Sequence, residues 1–563
     1  MAIFTPFKNL YKWAITDSKR ESMEGFRDNA QKIDDAFKEL DSELSYLDVN
    51  VRQKKYGAKG NGTTSDSFAF QTAMNLAKTL GGVRIKIPNG TYRMTSELRL
   101  YPNTQFICGP NVKIVRDHPG YLMINGFRST ESTPTTAGAY DGVGNLRIKG
   151  GLWDGNGVAQ PSKASIFHLG HGAGFRIENA TFKDCANSHH IEFNACKDIW
   201  VKNSSFLGWV GTVDTFNEAI QFDLAKPPTA TIGQADNTVC KNAWIEDCYF
   251  GKSGTPGSSG IGRAVGSHAC TINRWHENIN ILNNTVEESQ SFAFRAYSWK
   301  NFKIDGNHMI NCPYGINVRT PITADPEDTK NELGVQTNAS QICEGFSVSG
   351  NRFEGGGTGG RYIEIYGETT GRNFDGEVNF NIIKGKGLAA QHGIYIVYSD
   401  FITMMGNHIN GIYGGNSVNA ITLVNSQDCT LSTNKIRDIK GNGIHVSDNS
   451  HNVEIIANTV KQVGVNSVYV ATNINVASVI ANILIGCNGN LAGAANNFIR
   501  MTSTVTGVNI ANNICRNFGS SHVATVAMEL TSTVKEVIRN GNNFKGFTVV
   551  DASVNGATPA DLI

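Results

Sequence analysis

Past residue 80 the chain alternates apolar and polar residues in short bursts, and the bursts recur. Ile177-Glu178-Asn179-Ala180-Thr181-Phe182 returns twenty-four residues later as Val201-Lys202-Asn203-Ser204-Ser205-Phe206. The pattern continues with an asparagine in one slot: Asn284, Asn307, Asn351, Asn381, Asn407, Asn434, Asn458, Asn482, Asn512 and Asn542. Most intervals run 23 to 30 residues, and the 44 between Asn307 and Asn351 hold a polar insertion near 322–341. Each repeat adds a second alternating segment, such as "AIQFDL", "FAFRAYS", "YIEIYG" and "GIYIVYS". Period-two alternation predicts strands with one buried face. Two or three short strands per repeat, in more than ten copies, predict a coiled β-solenoid with rungs stacked at about 4.8 Å. Asn recurring at one corner predicts an amide ladder, and suits a left-handed turn there. A β-sandwich would show hairpin signals and no fixed period.

The front of the chain has a different period. Met23, Phe26, Ala30, Ile33, Phe37, Leu40, Leu44, Leu47 and Val51 follow a 3-4 spacing without a break. That seam predicts a helix that pairs with copies of itself. Next, Thr64, Ser65 or Asp66 is placed to cap a helix that Gly81-Gly82 ends. This helix, expected over 65–80, leads into "VRIKIPNGTYRM" and would cover the open end of a solenoid core.

Composition narrows the classes. Hydrophobic residues make up 40% of the 563, enough for a large core, and 60 Gly stand against 14 Pro. A net charge of +1 without a basic run points away from nucleic acid and acidic membrane surfaces. No stretch of 18 apolar residues offers a membrane span. The start "MAIFTPFKNLYKWAI" lacks the layout of a signal peptide, so synthesis in a cytoplasm without secretory export is expected. The eleven Cys form no C-x-x-C and are expected to be reduced core residues.

The stretch "KYGAKGNGTTSDSFAFQTAM…GGVRIKIPNGTYRM", with "GLWDGNG" at 151–157, resembles the opening of pectate-lyase-like parallel β-helices. The resemblance covers roughly residues 55–545 and implies the right hand of the coil. With the helical arm, the chain is similar to phage tailspikes and pre-neck appendage proteins. The fold class implied is all-β: a right-handed single-stranded parallel β-helix with an N-terminal α-helical coiled-coil arm. The organisation implied is a virion-attachment arm (1–20), a trimeric coiled coil (21–53), a cap helix with the first rungs (54–130), the β-helix with a carbohydrate groove (131–545) and a tail (546–563). The partners implied are two further copies, virion tail or neck proteins, and a host surface polysaccharide or teichoic acid. The location implied is the virion.

Alternation also picks out a site. In "HHIEFNA" Ile191 and Phe193 point inward, so Glu192 points out; in the next repeat Gln221 and Asp223 do. Arg295 and Tyr297, Asn317 and Arg319, then Glu364 and Tyr366 fill the matching slots. If the strands align so, Glu192 and Asp223 lie one rung and two residues apart, roughly 8 Å, which suits an inverting glycosidase pair. Glu218 is a third carboxylate within reach, and crowding is expected to raise one carboxyl pKa. The expected catalytic set is therefore Glu192, Glu218 and Asp223. The expected binding set is His190, Arg263, His268, Arg295, Tyr297, Arg319, Glu364 and Tyr366, beside the Gly-rich loop 251–267. A phosphodiester backbone would suit the same ensemble, with Arg263, Arg295 and Arg319 on its oxygens. His189, His190, His268, His276 and Glu277 show no metal-binding spacing, so no cofactor is expected, a divalent cation being the one alternative. The function expected is hydrolysis of a host glycopolymer; the alternatives are a binding-only adhesin and a β-eliminating lyase.

Overall fold

The computed structural model describes residues 3–4, 11–12, 29–30, 32–33 and 47–551, except 212–217, 228–229, 357–359, 386–390, 415–416, 488–496, 518–525, 532 and 548. The expected tail after 551, most of the attachment arm and most of the coiled-coil seam lie outside the described residues. Of the arm, Ile3–Phe4 pairs antiparallel with Tyr11–Lys12.

Every other described strand belongs to one right-handed parallel β-helix. Each turn of the coil after the first contributes one strand to each of three sheets, as Ala173–Glu178, Thr181–Ala186 and Ile191–Asn194 do. Sheet I runs from Leu47–Asn50 to Val534–Asn540, sheet II from Asn61–Ser65 to Asn543–Lys545, and sheet III from Leu98–Arg99 to Val549–Asp551. Among the described residues the sheets hold seventeen, seventeen and sixteen strands. Inward positions stack like on like: Phe182, Phe206 and Phe250 lie at centroid spacings of 5.2 and 5.0 Å.

The first strand corrects the coiled-coil boundary. Leu47 and Val51 fit the heptad seam, yet Leu47–Asn50 is a strand paired with Val83–Ile87, and Val49 and Val51 are buried in the solenoid. "LDVNV" alternates as well as it fits a heptad, and a short apolar run does not distinguish the two periods. The solenoid therefore begins at 47, not after 53.

The cap helix spans Ser67–Leu80 and ends on Gly81 at φ +81°. Phe70, Ala73, Met74 and Ala77 bury against the first rungs. Asp66 stands at the N-cap, but its carboxylate accepts from the Lys59 and Gly60 amides instead of capping the helix. Gln71 exchanges two hydrogen bonds with the Arg99 backbone and so closes the edge of sheet III.

The asparagine ladder sits between sheets I and II. Each member's side-chain oxygen accepts the backbone N–H and amide N–H of the preceding member, as Asn407 does for Asn381 and Asn434 for Asn407. Each amide also donates to a backbone carbonyl of an earlier strand, as Asn407 does to Val378. Two details differ from the sequence reading. The ladder member is Asn513, not Asn512. The left-handed residue is the one before the ladder Asn, such as Asn283, Gly306, Gly406 or Asn512, because the chain turns there before the buried amide enters the column. The ten described cysteines are free thiols, and nine are buried.

Candidate functional site

Sheet III carries the outward residues in the expected files. In register one with the next stand His168, Glu192, Gln221, Gly266, Arg295, Asn317 and Glu364. A second file holds Asn194 beside Asp223, and further on Tyr297, Arg319 and Tyr366. Gly266 breaks the row of side chains for a reason. A Cβ there would come within 2.9 Å of the Arg295 carbonyl and 3.3 Å of Glu218 Cγ, so glycine lets these two residues close over the rung.

Long connections wall this face on the side where sheet III turns back to sheet I. Arg128 bridges to Ile232, Tyr140 donates to the Val239 carbonyl, Thr271 to Asn237, and Arg274 pairs with Glu332. The insertion after Arg319 is anchored by Asp328, which holds Lys226 Nζ at 2.7 Å and accepts the Tyr297 hydroxyl at 2.9 Å. The Gly-rich loop 251–262 lies on the opposite flank, where Ser259 bridges to Trp209. Between the walls lies a groove, and over the rungs of Arg263 to Glu364 it deepens into a cleft of about 360 Å³.

Two acidic centres occupy the groove floor. Glu192 Oε2 lies 2.8 Å from His168 Nδ1 and accepts the Ser165 hydroxyl at 3.0 Å. His168 is itself fixed, stacked on Tyr121 at 4.6 Å with Thr231 Oγ1 at its other nitrogen. Burial alone would raise the Glu192 carboxyl, but the His168 ring and the Ser165 hydroxyl bring it down to about 2. Asp223 lies one rung on, two residues along. Its oxygens accept the Leu224 amide at 2.8 Å and the Gln221 amide at 3.0 Å. Burial lifts its pKa to about 6; His268 opposes the rise and Glu192 adds to it. One carboxyl is thus held ionised, while its neighbour keeps its proton up to about pH 6.

Glu218 has a different place from the one expected of a reacting acid. Its side chain is fully enclosed, with Arg263 Nη1 at 2.8 Å and His268 Nδ1 at 3.3 Å. Burial opposes its charge, yet His268 and Arg263 hold the carboxyl far below the usual range. Glu218 in turn keeps His268 above the ordinary histidine value against the pull of burial. His190 is a correction. It is buried at the corner before the strand, edge-on to the core ring of Phe206, with Nε2 3.4 Å from the Leu207 carbonyl. Burial lowers it to about 4. Alternation does not extend back past Ile191 into the turn, so the groove-side histidine is His189, which donates to the Glu218 carbonyl and stacks on His268.

The remaining expected residues line the groove together. Arg295 lies over the Tyr297 ring at 4.5 Å and Arg319 over Tyr366 at 4.4 Å. Glu364 is buried, bound by Arg361 and by the Asn317 amide. His168, Ser165 and Gln221 were missed as site residues. "SIFHLG" alternates like "HHIEF" and sits one repeat before it, so its outward His168 was within reach of the same reasoning. Among the described residues no group of three or more His, Cys, Asp or Glu is arranged to share a metal. Nor is any described helix long and apolar enough to cross a membrane.

With this geometry in hand, comparison with known proteins places the fold. Residues 49–320 match the family described as rhamnogalacturonase A/epimerase, pectate lyase-like. Plasmin and fibronectin-binding protein A of Streptococcus pneumoniae is 28% identical over 291 residues, 47% of this chain and 40% of that protein's length. The crystal structure of PfbA, a surface adhesin of Streptococcus pneumoniae, superposes with a TM-score of 0.53 at 20% identity, covering 77% of this chain and 92% of the other. A mutant tailspike protein of E. coli bacteriophage HK620, in complex with a pentasaccharide, gives 0.50 at 13% identity, covering 91% and 81%. The chain has the pectate-lyase-like right-handed parallel β-helix fold, matched by that family over residues 49–320 and continued by its own ladders to residue 551.

Proposed function

We propose that the groove binds a host cell-surface glycopolymer and hydrolyses it, with Asp223 as general acid and Glu192 as general base. The observation that carries this is the pair of carboxyls one rung apart whose surroundings drive their pKa values in opposite directions, Glu192 to about 2 and Asp223 to about 6. The register puts them roughly 8 Å apart, which leaves room for a water between base and sugar. Glu192 takes a proton from that water as its oxygen attacks the anomeric carbon. The glycosidic C–O bond breaks, and Asp223 gives its proton to the leaving oxygen. The product has inverted configuration. His168 and Ser165 hold Glu192 in place, and Glu218 positions Arg263 and His268.

The wider reading is a phage tail appendage. The seam from Met23 to Leu44 joins three chains, residues 1–20 dock on the virion, and a polysaccharide or wall teichoic acid is the target. The similarity to a plasmin- and fibronectin-binding protein favours a second reading, binding without cleavage on the same scaffold. Incubating the purified protein with host cell walls separates the two. Released oligomers carrying one added water per cleavage support hydrolysis, and products with no added mass indicate elimination. Retention on the walls with nothing released supports the adhesin.

A further inference from the structure

Over the three rungs beyond the carboxyl pair, the cleft gathers three arginines and too few free carboxylates. Arg263, Arg295 and Arg319 line it together with His268. Its acidic residues are already engaged. Asp328 is held by Lys226, the Tyr297 hydroxyl and the Cys270 amide. Glu364 is bound by Arg361 and Asn317, and Asp325 accepts the Glu327 and Asp328 amides at 2.8 Å. Arg263 is matched by Glu218, yet its buried Nε has no hydrogen-bond partner among the described residues. Arg319 reaches Glu368 only at 3.9 Å. Arg295 has no carboxylate within ion-pair distance among the described residues, and its guanidinium carbon lies 4.5 Å over the centre of the Tyr297 ring.

We infer that this cleft is a subsite for an anionic substituent of the polymer, a carboxylate or a phosphodiester, seated on Arg295 between Arg263 and Arg319. The inference rests on the glycopolymer reading and adds to it the charge of the substrate. A half-buried guanidinium without a counter-ion is costly, and a bidentate oxyanion is the ligand that its fork fits. The tyrosine rings beneath Arg295 and Arg319 hold both guanidinium groups by cation–π contact, so the anion is positioned as well as attracted. Arg295 is two rungs from Gln221, about 10 Å along the axis. The charged group therefore occupies a unit beside the scissile bond and not the bond itself.

The test is calorimetric titration of the full-length Asp223→Asn protein with polygalacturonate, poly(glycerol phosphate) and uncharged dextran. One of the two anionic polymers should bind and dextran should not; which one binds identifies carboxylate or phosphodiester. Adding Arg295→Gln should weaken that binding about tenfold or more and flatten its dependence on salt. Arg295→Lys should recover part of the loss. Equal binding of dextran, binding of neither anionic polymer, or unchanged binding by a folded Arg295→Gln protein would each overturn the subsite. The hydrolytic reading fails separately. If the wild type cuts nothing while Arg295→Gln still weakens binding, the subsite stands and catalysis falls.

Discussion

Asp223→Asn should cut turnover at least about a hundredfold and, at neutral pH only, stabilise the fold. The wild-type carboxyl ionises at about 6 in the folded chain against 3.8 for the free group, chiefly because burial disfavours its charge. Between those values the folded chain keeps a proton that the unfolded chain has released, so stability falls as pH rises from about 4 to about 6. The whole penalty, present at pH 7, is about 3 kcal/mol. An asparagine carries no charge to bury. Its Oδ1 can still accept from Leu224, and Gln221 can turn its amide so that Oε1, now unpartnered, receives the new N–H. The variant should therefore gain up to about 3 kcal/mol at pH 7 and nothing below pH 4, as read from denaturant midpoints at the two pH values. Catalysis should move the other way. With a general acid of pKa about 6, roughly one molecule in ten is competent at pH 7, and kcat/KM should fall about tenfold for each further pH step. Asp223→Asn should remove that alkaline limb and at least about a hundredfold of turnover. A variant that cleaves at the wild-type rate, or whose stability relative to wild type is the same at both pH values, refutes the assignment.

Glu192→Gln should lose at least about a hundredfold of turnover while still binding cell walls. Unlike the Asp223 change it should lower stability at neutral pH, because Glu192 is held below its ordinary pKa of 4.5 and contributes stability above that value, lost as pH falls toward about 2; equal pH dependence of melting in variant and wild type would count against it. Asn407→Ala should cost about 3–6 kcal/mol, since the Asn381 amides, the Val378 carbonyl and the Asn434 oxygen lose buried partners; denaturant titration reads the loss. A chain beginning at Leu47 should keep the β-helix, shown by an unchanged circular dichroism spectrum, and lose its self-association in sedimentation. If that shortened chain is as oligomeric as the whole, contacts between β-helices hold the copies together.

Alternation was legible wherever a strand has an interior. Ile191 and Phe193 fix the facing of Glu192, and Ile220 and Phe222 that of Asp223, so alternation alone sets the register of the pair. The errors cluster at strand ends. His190 lies one residue before its strand, where the turn and not the pleat decides direction, and the chain presents His189 to the groove instead. Asn512 and Asn513 differ only in which one turns and which one enters the ladder. Leu47 and Val51 satisfy two periods at once, and the pairing with Val83–Ile87 settles the choice. Each of these depends on a neighbouring strand that local sequence does not contain.

The walls of the groove were illegible for a related reason, and they bear on why the site lies where it does. A parallel stack fixes its rungs at about 4.8 Å, so an outward side chain by itself meets only water and its neighbours above and below. Desolvation needs mass beside the sheet. The insertions after Ile124, Asp223, Gly266 and Arg319 all leave sheet III at the same corner, and their contacts with one another close the flank. Asp223 at about 6 is a consequence of that wall: on an open rung the same carboxylate would be solvated and would stay near 3.8. Later rungs, such as Ile421–Val424 and Ile444–Ser447, return to sheet I through short turns and carry Thr422 and His445 with no acidic pair. Long connections and displaced carboxyl pKa values thus occur on the same rungs, and it is their coincidence, more than any single acid, that separates this stretch of the solenoid from a solvated face.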